Sequence, residues 1–507
     1  MKEAKPVSKS LERLLLSSMS SLGIALVIER GAGFLGNVFA ARVASSQTFG
    51  AYSLGVTTAM NVAIYAGAGI GSTASRFVGK YRPGSINYPR FVRALTIVCC
   101  ASALLAMGIL WLFSGFLAVK LLHNAALTTV LRASALFAGA FILLECYRGL
   151  LIGQRSSALL VVLSTLAGLG LVIAVPLAAH IGPEAMLVSQ SAAIVLAVGA
   201  TVVLLMRQQP PSDLRAAEEG DAPEPSILNL WRFGLVQLGG VIGLNAAGWW
   251  TASLVASADH SLLQMALYSI SGQLRNIVAL VPSLVAQSGL SLMTEETSTE
   301  FGGATRVLGI STLFAQGLAI TASGLGVAVL PWVLHLLYGT RYLNADLAGS
   351  LAIATALIHT SSSPGATRLV VLSLRATGFI NLVWALFVIA ASAWAVPRGG
   401  AAGGIAVMLS AHVLSMVLVL IVLHRKKELG PAVAPMSAIS IGTALALSAI
   451  TWFRSTGGTG VPFAFLLCLL VTGVALLLLT RKARSRELMT GLNATPLFRQ
   501  FAVFARK

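Results

Sequence analysis

The segment Ser157–His180, SALLVVLSTLAGLGLVIAVPLAAH, contains no charged residue and decides the fold class. A helix of about 20 mainly apolar residues crosses the ~30 Å hydrocarbon core of a bilayer. Because no water reaches that depth, backbone groups must bond within the segment, which predicts a transmembrane helix. Only 10% of the 507 residues are charged and 56% are hydrophobic, whereas soluble domains carry about a quarter charged residues. The composition therefore excludes a soluble protein.

Thirteen further apolar stretches of similar length lie on both sides of this segment. The predicted spans are 14–42, 49–75, 94–117, 127–150, 157–180, 184–206, 228–256, 264–294, 307–336, 347–373, 377–396, 402–423, 434–453 and 462–480. The sequence thus predicts an all-α integral membrane protein with about fourteen transmembrane helices.

The formal net charge of +18 could indicate a nucleic-acid partner, but the positions of the basic residues argue against one. With the N-terminus in the cytoplasm, twenty-six of the 35 lysines and arginines fall in cytoplasmic segments, and six fall in outer segments or helix ends. Such asymmetry is typical of the positive-inside orientation of membrane proteins. We therefore expect a multi-pass protein with both termini in the cytoplasm and no nucleic-acid partner.

The longest polar interruption, Gln208–Pro225, separates six spans from the following eight. A weak parallel repeat supports two lobes, since Ala51-Tyr52-Ser53 aligns with Leu267-Tyr268-Ser269 at an offset of 216 residues. Transporters with such repeats bind substrate where the repeats meet. The predicted domains are an N-terminal six-helix lobe (1–206), a cytoplasmic linker (207–227), a C-terminal six-helix lobe (228–424), two additional transmembrane helices (425–480) and a basic cytoplasmic tail (481–507).

Two glycine clusters lie inside predicted spans. Gly31–Gly36, GAGFLG, matches the dinucleotide-binding pattern GxGxxG, but it lies in the first span. That fingerprint requires a preceding strand and a soluble βαβ unit, so we expect no nucleotide cofactor. Small residues instead allow membrane helices to approach closely or to bend. The same interpretation applies to Gly67–Gly71, GAGIG, in the second span.

Arg30 is a charge in an unexpected place, because it lies seventeen residues after Arg13 and twelve before Arg42. A charge at mid-membrane costs at least about 2.5–3.5 kcal/mol and usually faces the interior of a bundle or a watery cavity. Asn37 follows Arg30 by seven residues, so the two side chains share one helix face. This pattern predicts a polar stripe on the first helix.

Arg275 is the corresponding charge in the second half of the chain, about eleven residues into the eighth span. Gln273 and Asn276 are its polar neighbours. Arginine stays charged in proteins and matches phosphate oxygens with paired hydrogen bonds. We therefore predict that Arg30, Arg275 and the neighbouring amides bind a diphosphate in a cationic cavity.

The alternative is that the deep arginines pair with local acids, with Glu29 as the nearest candidate for Arg30. Glu29 is also a candidate for coupling ion movement to transport. Glu145 and Arg148 are three residues apart and are predicted to form a structural ion pair. Arg368 lies close enough to the inner surface for its side chain to reach the interface.

The stretch Ser46–Tyr81, SQTFGAYSLGVTTAMNVAIYAGAGIGSTASRFVGKY, resembles the first loop and second helix of the Wzx-like polysaccharide flippases. These belong to the MATE-like (multidrug/oligosaccharidyl-lipid/polysaccharide) exporter superfamily. Phe49–Ser53 matches the short outer loop, and the glycine cluster with Arg76–Tyr81 matches the cytoplasmic end. The resemblance implies two six-helix lobes in a V-shaped arrangement and transport by alternating access.

The resemblance also implies a cargo and a location. The cargo would be an undecaprenyl-diphosphate-linked oligosaccharide, moved across the bacterial inner membrane for O-antigen or exopolysaccharide assembly. Membrane lipids, a polysaccharide polymerase and glycosyltransferases would be the partners. Lipid II flippases of the same superfamily are the first alternative, although they carry several arginines early in the first helix, where this chain has only Arg30 at depth. A multidrug exporter is the second alternative, although it would place acids at mid-depth.

An enzyme, such as a membrane polysaccharide polymerase or glycosyltransferase, is an alternative of a different class. Such chemistry needs convergent carboxylates or a sizeable loop domain, whereas the predicted outer loops have roughly ten residues or fewer. The four cysteines show no zinc-ligand spacing with a histidine. We therefore expect no catalytic residue, no cofactor and no metal site.

Overall fold

The fold is taken from a computed structural model, which describes residues 9–67, 69–81, 85, 87–207, 226–239, 242–296, 303–430, 432–457 and 460–483. Within these ranges the chain forms fifteen α-helices and no β-strand. The predicted all-helical class is confirmed. The acidic segment 208–225 and the tail from 484 onwards lie outside the described residues, so the predictions for the linker and for most of the tail stay predictions.

The helices follow one another with short connections. The first seven are α1 (Lys9–Val43), α2 (Ser46–Gly67), α3 (Ile70–Lys80), α4 (Tyr88–Phe116), α5 (Leu127–Gly153), α6 (Ser157–Ala178) and α7 (Pro183–Arg207). The remaining eight are α8 (Ile227–Gly239), α9 (Ile242–Ser257), α10 (Leu263–Glu296), α11 (Gly303–Val333), α12 (Asp346–Leu372), α13 (Leu374–Arg425), α14 (Val433–Ser455) and α15 (Val461–Ala483). Short π-helical turns extend α4 and α11, and a 3₁₀ turn precedes α12.

Each predicted span coincides with a helix, with two consecutive helices or with one arm of a bent helix. The second span is divided into α2 and α3, which meet at a 45° bend, and the seventh is divided into α8 and α9. Eight of the described helices are long and apolar enough to cross a membrane by length and composition, and the bent pair α2–α3 would make a ninth. The count of about fourteen spans therefore stays a prediction, whereas the multi-pass character is confirmed.

The eleventh and twelfth predicted spans are the two arms of α13, which turns at Gly400. Gly400 has φ 52° and ψ −132°, a backbone conformation that favours glycine. Gln264 of α10 accepts a hydrogen bond from the backbone N–H of Ala401 through its Oε1 (2.9 Å). A Cβ on Gly400 would collide with that same Oε1. The turn thus depends on both the missing side chain and the amide that fills its place.

The chain divides into two compact units. Unit 1 comprises Met1–Trp249 and His260–Leu262, and unit 2 comprises Trp250–Asp259 and Leu263–Lys507. In unit 1, α5 is the central helix and packs against α2, α3, α4 and α7, while α1 packs mainly along α6. The helix α8, which follows the predicted linker, packs on α3 and α4 and thereby groups with the N-terminal helices.

Small residues bring the helices of unit 1 close together, as the glycine clusters predict. A Cβ on Gly36 of α1 would lie 2.7 Å from Leu171 Cγ of α6, and a Cβ on Gly168 would lie 2.7 Å from the Ala32 methyl group. Gly69 bends the chain between α2 and α3 with φ 65°. The prediction of close approach and bending is confirmed at both clusters, and Gly31–Gly36 lies inside a helix that is uninterrupted from Lys9 to Val43.

In unit 2, α12 is the central helix and packs against α10, α11, α13 and α14. It is less apolar than the eight membrane-spanning candidates, yet sixteen of its 27 residues are buried. Protein neighbours therefore shield its serines and charged residues from lipid. The last two helices, α14 and α15, are part of this unit, since both pack against α11 and α14 also packs against α12.

Candidate functional site

The charged residues of unit 1 gather where α1 meets α5. The Arg148 guanidinium of α5 forms an ion pair with Glu29 of α1 through Nη2 and donates a hydrogen bond from Nη1 to Glu145 Oε1 (2.7 Å). The predicted Glu145–Arg148 pair is therefore confirmed. The partner of Glu29 is Arg148 and not Arg30, so the alternative pairing of adjacent residues on α1 is wrong. Adjacent helical side chains point about 100° apart, which makes their direct pairing unfavourable.

The Arg30 side chain is exposed, although it lies within a predicted span. Its charge acts on the Glu145 carboxylate, which places Arg30 in the same electrostatic neighbourhood as the Arg148 pairs. Asn37 is half-buried, and its side-chain amide donates a hydrogen bond to the Gly33 carbonyl one turn earlier (2.7 Å). Arg30 thus presents an accessible guanidinium, while the amide of Asn37 bonds within its own helix.

Close packing of α3 on α5 positions the Arg148 network. A Cβ on Gly149 would collide with the Gly71 carbonyl, and a Cβ on Gly71 would lie 2.8 Å from the Glu145 carbonyl. These two glycines therefore let the two helix backbones touch directly beside Glu145 and Arg148. A helix end held in this way is a rigid base for charged side chains.

In unit 2, the predicted residues Gln273, Arg275 and Asn276 are half-buried on α10. Arg275 acts electrostatically on Tyr268 of its own helix and on His359 and His412 of α12 and α13. A guanidinium therefore lies in a polar environment formed by three helices of this unit. The pattern is consistent with an anion-binding group.

Two histidines on which the Arg275 charge acts form a cluster that the sequence did not predict. The rings of His359 and His412 meet edge to face with centroids 5.1 Å apart, and the Trp384 ring meets His412 in the same way at 5.5 Å. His412 Nδ1 lies 2.8 Å from the Met408 carbonyl oxygen. If Nδ1 donates a hydrogen bond to that oxygen, Nε2 of the neutral ring is free of a proton and can accept one. His359 is exposed. No spacing rule joins residues on α12 and α13, so sequence patterns could not have found the cluster.

Arg368, another charge inside a predicted span, has a structural role. Its side chain is buried, with 3% of the residue exposed, and its Nη2 donates a hydrogen bond to Glu428 Oε2 (2.9 Å). The side chain therefore extends to the loop between α13 and α14, where the ion pair with Glu428 compensates its charge inside the protein. The helix α12 continues without a break through Pro364, four residues before Arg368.

Glu29 and the five predicted substrate-binding residues thus fall in two separate sets. Glu29, Arg30 and Asn37 lie on α1 of unit 1, and Gln273, Arg275 and Asn276 lie on α10 of unit 2. Each set contains one arginine that is at least partly accessible, since Arg30 is exposed and Arg275 is half-buried. Guanidinium groups of this kind can bind phosphate oxygens with charge-assisted hydrogen bonds. Among the described residues, no group of three or more histidine, cysteine or acidic side chains converges in a way that would hold a metal ion.

Comparisons with known proteins bear on the family and the fold. Residues 15–211 match the family described as polysaccharide biosynthesis protein. No curated protein sequence matches the chain significantly. Among solved structures, the lipid II flippase MurJ in an inward closed conformation aligns with TM-score 0.64 and 12% identity, over 90% of this chain and 97% of MurJ.

Two MOP-superfamily transporters also align. A multidrug-resistance MATE transporter in an inward-facing conformation gives TM-score 0.55 and 13% identity, over 81% of this chain and 98% of its own. A transporter from Pyrococcus furiosus, whose binding pocket is described as having reverse polarity, gives TM-score 0.50 and 11% identity, over 82% and 95%. At these identities the likeness establishes the fold. The chain is a multi-pass membrane protein with the fold of MurJ and the MATE transporters, and its residues 15–211 match the polysaccharide biosynthesis protein family.

Proposed function

We propose that this protein is a flippase for undecaprenyl-diphosphate-linked oligosaccharide. In this proposal it moves the lipid-linked glycan across the bacterial inner membrane by alternating access, for O-antigen or exopolysaccharide assembly. Both termini face the cytoplasm, and the chain acts as a transporter and not as an enzyme. Its partners are the lipid-linked glycan, the surrounding lipids and the polymerase and glycosyltransferases that handle the same glycan.

The family match and the fold support the class of cargo. The N-terminal match is to a polysaccharide biosynthesis family, and a fold that covers nine tenths of the chain is shared with a flippase for a lipid-linked precursor. Both facts favour a cargo that combines a lipid, a charged linker and a sugar.

The single observation that carries the proposal is the accessible arginine inside a predicted span of each unit. Arg30 is exposed and Arg275 is half-buried, whereas the two acids of the unit 1 network are engaged with Arg148. Neither guanidinium forms an ion pair within the described part of the chain, and because a charge without a direct partner is costly in hydrocarbon, such arginines are best explained by an anionic ligand. A diphosphate supplies several negative oxygens for bidentate guanidinium contacts.

Two other cargos are the alternatives within the superfamily. A lipid II flippase has the same diphosphate chemistry, and the structural likeness to MurJ supports it. A multidrug exporter is supported by the likeness to the MATE transporter, but a cationic drug would be repelled by accessible arginines. The P. furiosus transporter of reverse polarity indicates that binding-pocket charge varies within this fold. A polymerase or glycosyltransferase remains the alternative of a different class.

Delivery of lipid-linked glycan to the outer leaflet tests the proposal. The purified full chain would be reconstituted in liposomes, and the accessible fraction of a lipid-linked oligosaccharide would be measured with a glycan-modifying reagent. We expect Arg30→Gln and Arg275→Gln together to reduce the flipping rate at least about tenfold, since each removes a charge-assisted contact. Arg398→Gln is the matched control, because this exposed arginine bonds within its own helix and stacks on Trp394.

The outcomes separate the alternatives. Unchanged delivery in the double variant, at equal protein abundance, would refute the role of the two arginines. Equal transport of lipid II and of the lipid-linked oligosaccharide would indicate a broader specificity for lipid-linked diphosphates. Incorporation of sugar into new polymer by the purified chain would favour the enzyme.

A further inference from the structure

Arg148 is a further arginine in a predicted span, and the proposed function does not use it. Its Nη1 forms an ion pair with Glu145 and its Nη2 forms one with Glu29, so each terminal nitrogen of the guanidinium contacts a carboxylate. The Arg148 side chain is 20% exposed, and each of the two carboxylate side chains is 33% exposed. The ion pairs therefore lie near a surface of the protein, and a ligand that reaches this surface could replace one partner of Arg148.

The charges of this network balance. Glu29 and Glu145 offset Arg148 and the nearby Arg30, whose charge acts on Glu145. A network without net charge attracts a dianion only weakly. The two terminal nitrogens that would donate paired hydrogen bonds to a phosphate already contact Glu29 and Glu145. Arg148 can therefore bind an anion only if one carboxylate leaves.

Glu29 is the carboxylate that is less firmly held. Glu145 lies on the same helix as Arg148, and both are fixed where Gly149 and Gly71 bring α5 against α3. Glu29 belongs instead to α1, which packs mainly along α6. Beside it, Cβ positions on Gly31 and Gly33 would meet no atom within 4 Å, so close packing in this part of α1 is confined to the Ala32 face that contacts Gly168 of α6.

We propose that Arg148 is a further diphosphate-binding residue and that Glu29 competes with the cargo for its guanidinium. Arrival of the headgroup at Arg30 exchanges the Glu29–Arg148 ion pair for a phosphate–Arg148 contact. The exchange releases α1 from α5, while Glu145 keeps Arg148 in position. The inference rests on the proposed function, because it requires a diphosphate cargo.

The affinity of the full chain for a short prenyl diphosphate tests this exchange. Geranylgeranyl diphosphate and geranylgeraniol would be titrated into the protein in nanodiscs of zwitterionic lipid at fixed salt. We expect Glu29→Gln to bind the diphosphate about three- to tenfold more tightly, since the variant no longer offers a competing carboxylate. We expect no change in the binding of the alcohol.

The matched control is Glu184→Gln, which removes the same charge from the same unit. Glu184 accepts a hydrogen bond from the Thr129 hydroxyl (2.5 Å), and no arginine pair of Glu184 occurs in the described part of the chain. Equal gains in the two variants would show a general effect of net charge and would overturn the inference. In an Arg148→Gln background the gain from Glu29→Gln should disappear, and its persistence would also overturn the inference. Should Arg148→Gln fail to fold, the comparison of Glu29→Gln with Glu184→Gln decides.

Arg275→Gln separates this inference from the proposed function. If the wild-type chain binds diphosphate and alcohol alike and Arg275→Gln changes nothing, the proposed function fails. If Arg275→Gln weakens diphosphate binding but Glu29→Gln behaves like Glu184→Gln, only the competition between Glu29 and the cargo is refuted.

Discussion

Arg454 of α14 and Asp346 of α12 form an ion pair with two contacts, Nε to Oδ2 at 2.8 Å and Nη2 to Oδ1 at 2.5 Å. The Arg454 guanidinium also donates to the Val327 carbonyl of α11 (3.3 Å) and lies 3.4 Å from the Ser350 hydroxyl. One side chain thus links three helices of unit 2. The last two helices pack into the same apolar cluster, which includes Ile358 of α12 and Leu479 of α15.

We expect Asp346→Asn to destabilise the protein by about 2–4 kcal/mol, because it leaves the buried Arg454 charge without its anion. The Arg454 side chain is only 4% exposed, so water cannot replace the lost carboxylate. The loss would be measured as a lower unfolding temperature of the detergent-solubilised chain. In the double variant with Arg454→Gln, the destabilisation should be smaller than the sum of the two single effects. Additive effects would contradict a direct ion pair.

Gly400 and Gly399 form a matched pair at the turn of α13. We expect Gly400→Ala to destabilise the protein by about 1–3 kcal/mol, since alanine is strained at positive φ and its Cβ would displace the Gln264 amide. Gly399→Ala should be tolerated, because a Cβ at that position meets nothing within 4 Å. Thermal unfolding of both variants would measure the difference, and equal stability would refute the requirement for glycine at the turn.

Gly149 and Gly108 test the contact of α3 with α5. Gly149→Ala would force apart the two backbones at the Gly71 carbonyl, whereas a Cβ on Gly108 of α4 meets nothing within 4 Å. Overpacking of this kind costs about 1–3 kcal/mol, and the shift would also disturb the Glu145–Arg148 pair. We expect lower stability and slower transport for Gly149→Ala and neither for Gly108→Ala. Transport by Gly149→Ala at the wild-type rate would argue against α5 as the base of the site.

Local patterns were sufficient to predict the helical class and the Glu145–Arg148 pair, because both depend on residues close in sequence. They also predicted close packing at the glycine clusters, since clustered small residues admit a neighbouring helix, although they did not identify that helix. The partners of Glu29, Arg368 and Asp346 were not predicted. Each lies on a different helix or loop from its partner, and such a pairing depends on how each helix is rotated about its own axis. Hydropathy fixes where a span lies but leaves that rotation open when small residues occur on several faces.

The histidines of unit 2 provide the last test, since His359 and His412 touch each other but differ in exposure. His359 is exposed within the electrostatic reach of Arg275, so its imidazole can donate a hydrogen bond to an anion held there. His412 lies against Trp384 and beside the Met408 carbonyl, contacts that orient its ring within the protein.

We expect His359→Phe to lower the affinity for geranylgeranyl diphosphate about three- to tenfold, the value of one neutral hydrogen bond. His412→Phe keeps the edge-to-face packing and should change the affinity by less than about twofold. An equal loss in both variants would indicate that the pair acts through packing alone, and no loss in His359→Phe would exclude that imidazole from the site.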